Sequence, residues 1–185
     1  DFIDAVEVLK KHEDFWLTHD LSGIPPHLLE KIGCLKGSTL IEAPATDFFR
    51  VHTVYVDIVR TAKEIIGVSS IFIPEFTFLF EKLLIDEGTA VQLVITKEVL
   101  DRILETTDKD LLKRVLKDKT VKLKLYVMKE DKKIGLTVTD EFISLGFFNL
   151  DGTYDWNRDL ISSSQRAIAW GRELFKYYVN NSKIV

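Results

Sequence analysis

The chain has 185 residues, enough for one domain with a substantial core that needs neither disulfides nor metal. Apolar residues make up 46% and charged residues 29%, and no apolar run approaches the 18 or so residues of a membrane span. With 25 basic against 29 acidic side chains and a net charge of -4, the chain lacks the basic footprint of a free-standing nucleic-acid binder.

Phe2, Ala5, Val6 and Leu9 recur at i, i+3, i+4 and i+7, which predicts an amphipathic helix running towards Trp16. Pro25 and Pro26 break it and open a short helix that ends at Ile32, before Gly33. The break divides an N-terminal segment, residues 1–26, from an α/β body, residues 27–185. A short strand is expected over 39–43. From Asp47 the positions Phe48, Val51, Tyr55, Ile58, Ala62 and Ile65 step by three and four, predicting a helix of about five turns stopped by Gly67. Residues 68–73 read as a buried strand ended by Pro74, 76–87 as a helix stopped by Gly88, and 90–95 as a second buried strand. A helix over 97–116 is interrupted near Thr106, Thr107 and Asp108. Three strands follow: Val121, Leu123, Leu125 and Val127 alternate with lysines, Ile134, Leu136 and Val138 alternate next, and 142–148 is almost continuously apolar. A last helix begins near Ser162, whose spacing to Gln165 fits a capping box, and carries Ala167, Trp170, Gly171, Leu174 and Tyr178 on one stripe. This order predicts an α/β fold, a mixed β-sheet with helices on both faces, preceded by an N-terminal helix.

Cys34 is the only cysteine, which excludes an internal disulfide and a multi-cysteine zinc site and favours a small buried residue over a nucleophile. His12, His19, His27 and His52 show no metal-ligand spacing, so neither metal nor cofactor is expected. The lysine-rich stretch 119–133 reads as the solvated face of an edge strand, since lysine blunts edge pairing. With no signal-peptide pattern, the expected compartment is the cytoplasm.

Glu75 follows one strand, Thr96 and Lys97 the next, and Thr139 with Asp140 ends the strand entering the hairpin. Parallel sheets present binding residues at their carboxyl edge, so these groups are expected to gather there around a small polar or zwitterionic ligand. Phe76 and Phe147 would supply the walls, and Asn149 a further polar group. Structural alternatives exist: Glu75 can favour a helix start, and Asp140 can be a turn residue. Tyr154 and Trp156 either line a pocket mouth or anchor their polar loop, and the anchor is favoured.

Residues 133–149, with Asp140, Gly146 and Asn149 close to the positions of a His-x-Lys-x4-Asp signature followed by Gly and Asn, resemble the active-site hairpin of the phospholipase D superfamily. Lys133 stands at the histidine position and Gly135 at the lysine position. Without an imidazole nucleophile and its paired cation, phosphoryl transfer loses both attack and charge stabilisation, so no catalytic residue is assigned. Over nearly its whole length, through segments 15–25, 68–74, 136–140, 159–162 and 169–175, the chain resembles the middle, or effector, domain of archaeal transcription regulators of the Fil methanogenesis-regulator type. A fainter similarity to the phospholipase-D-like fold is shared with sugar-sensing regulators of the TrmB type.

The resemblance implies a ligand-sensing, dimerising effector domain and not an enzyme. In that family a winged helix-turn-helix domain precedes this region, and the chain opens at Asp1 with Met128 as its sole methionine. The expected partners are therefore a small-molecule effector, DNA only through the missing N-terminal domain, no membrane, and a second copy met through Phe2, Val6 and Leu9. The alternative is a degenerate phosphodiesterase or hydrolase using Asp140 and Glu75.

Overall fold

The computed structural model describes residues 1–185, apart from the side chain of Leu111. Helix α1 (Phe2–Lys11) and helix α2 (Glu13–Thr18) are followed by strand β1 (His19–Asp20), helix α3 (Pro26–Leu29), a tight turn of helix at Ile32–Leu35 and strand β2 (Thr39–Glu42). Helix α4 (Arg50–Arg60), strand β3 (Glu64–Ser69), helix α5 (Pro74–Ile85), strand β4 (Ala90–Ile95), helices α6 (Lys97–Thr106) and α7 (Lys109–Lys117), and strand β5 (Leu123–Met128) form the alternating middle. Strands β6 (Gly135–Thr139), β7 (Ile143–Gly146), β8 (Phe148–Asn149) and β9 (Arg158–Ser162), helix α8 (Gln165–Asn180) and strand β10 (Ser182–Ile184) complete the chain.

Eight strands form one sheet in the order β10-β5-β4-β3-β6-β7-β9-β2, and β1 pairs with β8 in a separate ribbon. β3, β4 and β5 are parallel; β6 runs antiparallel to β3, and each strand beyond it is antiparallel to its neighbour. The mixed sheet with helices on both faces is as the sequence predicts. On one face Ile66, Val68, Val94, Leu136, Val138, Ile143, Leu145 and Leu160 pack against α8 and against Val8, Phe15 and Trp16 of the first two helices. Gly171 lets α8 come close: a Cβ there would lie 2.6 Å from Ile143 and 2.7 Å from Val138. Ile24 and Leu28, on either side of the proline break, bury in that same cluster. On the opposite face α4 and α5 cover Ile65 and Val91, while α6 and α7 cover Ile95 and Leu125.

Several boundaries differ from the sequence pattern. The helix expected to reach Gly67 stops at Arg60, and the strand begins at Glu64. Ile65 and Ile66 are both buried because they enter the two opposite cores, which helical spacing mimics over so short a run. Ser162 ends β9 and accepts from the Ser164 amide at 3.1 Å, so it is no N-cap; α8 starts at Gln165. The lysine-bearing strand β5 is not an edge, because the three-residue β10 pairs outside it.

Candidate functional site

Between the sheet and helices α4 to α7 lies a cavity of about 250 Å³. Side-chain alternation sends Thr137 of β6, Ser144 of β7 and Asp159 of β9 to this face while Val138, Ile143, Leu145 and Leu160 bury in the cluster on the α8 side. Thr137 pairs with Gly67 on one side and Ser144 on the other, and Asp159 lies one strand further. Tyr55, from α4, shares a hydrogen bond with Thr137 at 3.1 Å, and Ser144 donates to Asp159 Oδ2 at 2.5 Å. The walls are aromatic: Phe76 stacks on Tyr55 and His52 at centroid distances of 4.9 and 5.4 Å. Tyr154 lies over two glycines, where a Cβ on Gly135 would sit 3.0 Å from its hydroxyl and one on Gly146 would collide with it.

Asp159 is 4% exposed, and burial pushes its carboxyl up to about 7, the Ser144 hydrogen bond opposing only part of the rise. Burial likewise pushes Tyr55 up to about 12 and raises Tyr154 well above the ordinary phenol value. The floor is thus a set of hydroxyls and a carboxyl able to hold its proton near neutral pH. Thr107, also in the lining, has a buried hydroxyl without a hydrogen-bond partner among the described residues.

The loop after β8 joins this cavity to the N-terminal helices. Tyr154 and Trp156 line the cavity, so they do more than anchor the loop. Asp155, between them, accepts from His19 Nε2 at 2.9 Å and from Arg158 Nε at 2.7 Å. His19 Nδ1 lies 2.5 Å from the Phe15 carbonyl oxygen, so both ring nitrogens face an oxygen and the ring is fixed in orientation. Burial would raise the Asp155 carboxyl, but Arg158, the Asn157 amide and His19 outweigh it and hold it below the usual carboxylate range.

The residues singled out from sequence do not assemble as one site. Glu75, exposed in the first turn of α5, and Thr96 and Lys97, which open α6, do lie beyond the carboxyl ends of β3 and β4. Thr139 pairs with Ile65, at the start of β3, because β6 is antiparallel; Thr139 and Asp140 therefore sit at the opposite edge. Asp140 there accepts the Lys63 amide at 3.0 Å, tying the hairpin to the turn before β3, and Thr139 accepts from the Phe142 amide at 2.9 Å, closing the hairpin itself. Thr96 caps α6 through the Val99 amide and Lys97 pairs with Asp101 at 2.9 Å. Phe147 is buried against Phe15, Trp16 and His19 in the α8-side core, and Asn149 pairs with His19 in the ribbon. Of that set, Phe76 alone is in the cavity lining. The missed floor residues left one signal: Thr137 and Ser144 interrupt otherwise apolar strands at positions sharing a face.

The family model for the middle domain of methanogenesis regulatory protein FilR1 matches residues 48–181. The chain is 32% identical over 182 residues to methanogenesis regulatory protein FilR1 of Methanothrix harundinacea, an alignment covering 97% of this chain and 40% of that protein. Among solved structures, TrmBL2, an archaeal chromatin protein with a novel mode of DNA binding, is similar over 100% of this chain and 65% of its own, with a TM-score of 0.61 at 17% identity. NucT from Helicobacter pylori is similar over 80% of this chain and 98% of its own, with a TM-score of 0.56 at 13% identity. These two likenesses concern the fold.

Proposed function

The chain belongs to the family of FilR1 middle domains, and from that premise we propose that it is the ligand-sensing effector domain of a transcription regulator whose DNA contacts are made by a winged helix-turn-helix domain outside this sequence. The observation that carries the reading is the cavity over β3, β6, β7 and β9, apolar-walled with a few convergent polar groups, which is the usual make-up of a small-molecule site. The loop that closes it supports a route for the signal. Tyr154 and Trp156 feel an occupant, while Asp155 holds His19 at the end of α2, so a shift of one loop biases the N-terminal helices. A metabolite screen by thermal shift tests this, because a ligand that binds only the folded state raises its melting temperature. Stabilisers whose effect disappears in Phe76→Ala support the site; stabilisers indifferent to that change refute it.

Two further expectations follow from the same reading. The chain should not turn over phosphodiesters: Lys133 and Gly135 stand where the superfamily needs histidine and lysine, and Tyr154 fills the space in front of Gly135. Hydrolysis of a generic phosphodiester that vanished on Asp140→Ala would contradict this. Association is the second. Phe2 is 82% and Leu9 40% exposed on α1, and two-fold operators are commonly matched by two-fold proteins. We expect light scattering to give a homodimer that Phe2→Glu weakens; monomer mass throughout a concentration series would count against α1 as the interface.

A further inference from the structure

We infer that the cavity takes a small organic cation, an ammonium carried on an apolar body. This rests on the proposed reading of the cavity as a ligand site and adds its chemical class. The lining contains no lysine or arginine among the described residues. It does contain Asp159, almost wholly buried, whose carboxyl meets the neutral Ser144 hydroxyl and the Leu160 amide and, among the described residues, no cation. A buried carboxyl without a cation is a charge site waiting for its counter-ion, because ionising it alone in an apolar setting is costly. The aromatic walls add to the match: Tyr55, Phe76 and His52 form one stack, and Tyr154 meets Trp156 edge to face at 5.0 Å. Ring faces attract a desolvated cation, and a carboxylate opposite completes its neutralisation. The remaining charged groups nearby do not upset this balance. Glu81 in the lining is acidic and exposed, and Arg102, which lies 5.6 Å over Phe72, is engaged with Glu105 at 2.9 Å. A carboxylate or phosphate ligand would meet Asp159 with no lysine or arginine in the described lining to offset it.

The test compares three probes of one shape, 2-phenylethylamine, 2-phenylethanol and phenylacetate, by thermal shift at millimolar concentration. The amine should raise the melting temperature by about 3 °C or more, with phenylacetate giving no rise. Asp159→Asn should remove the advantage of the amine over the alcohol, and Phe76→Ala should weaken both. The comparison on the unaltered chain stands even if a variant fails to fold. If phenylacetate stabilises as well as the amine, or the amine's advantage survives Asp159→Asn, the ligand class is wrong. If the alcohol stabilises and loses its effect in Phe76→Ala while the amine shows no advantage, the class fails but the cavity remains the site. If none of the three shifts the melting temperature, the cation inference is overturned; stabilisation indifferent to both substitutions overturns the site as well.

Discussion

Asp155→Ala should destabilise the chain by about 3 kcal/mol, the cost of removing one partner from a buried charged cluster. Its carboxylate is the common acceptor for His19, whose side chain is fully buried, and for Arg158, which is 19% exposed. Arg158 also reaches exposed Asp14 at 3.3 Å and Thr18 at 3.2 Å, so the substitution loosens α2 from the β8–β9 loop as well. The folded-state carboxyl is held low, so its stabilisation is present above the unfolded carboxylate range and is lost as pH falls through the folded value. Urea denaturation at pH 7 checks the size, and hydrogen exchange over residues 13–20 checks the place. A loss below about 1 kcal/mol, within the range of ordinary surface pairs, would show that this cluster does not hold the N-terminal helices.

Asp159→Asn should have the opposite sign. The folded carboxyl titrates at about 7 against an ordinary 3.8. Between those values the folded chain keeps a proton that the unfolded chain gives up, so the native side chain costs more as pH rises and the cost is complete above about pH 7. Asparagine keeps the shape without that titration. At about 1.4 kcal/mol per unit, the variant should gain about 3 kcal/mol on the native chain between pH 5 and pH 8. A difference that is flat with pH would mean that Asp159 is already ionised in the folded state, and would remove the proton-holding carboxyl from the cavity floor.

Both effects come from buried aspartates, Asp159 inside strand β9 and Asp155 in the loop before it, and neither burial is signalled by the local sequence pattern. Strands β4 and β5 with their helices were legible because β-branched runs and the Gly88 stop agree with them; 90–95 and the helix interruption at 106–108 stand as read, whereas the strand expected over 68–73 spans Glu64–Ser69, with Gly67 inside it and not at a helix end. Strand β9 was missed because it opens Arg158-Asp159, a pair whose burial depends on a cavity and an aspartate cluster contributed by other elements. The predicted site residues are divided between two edges of the sheet for a topological reason. The carboxyl-edge rule holds for Glu75 and Thr96, but the hairpin strand runs antiparallel, which carries Asp140 to the far edge. No local signal in residues 135–139 distinguishes the two directions. Phe76 was found because it follows a parallel strand; Tyr55, Ser144 and Asp159 were not, because they come from three elements that meet only in the folded chain.

The central claim, that this cavity is where the domain meets its ligand, is tested most directly by a crystal structure of the chain with the strongest stabiliser from the metabolite screen. The prediction is an occupant between the sheet and helices α4 to α7, stacked on Phe76 and within hydrogen-bond reach of Asp159 or Tyr55. An occupant bound anywhere else, with those side chains unmoved and the cavity empty, would contradict it.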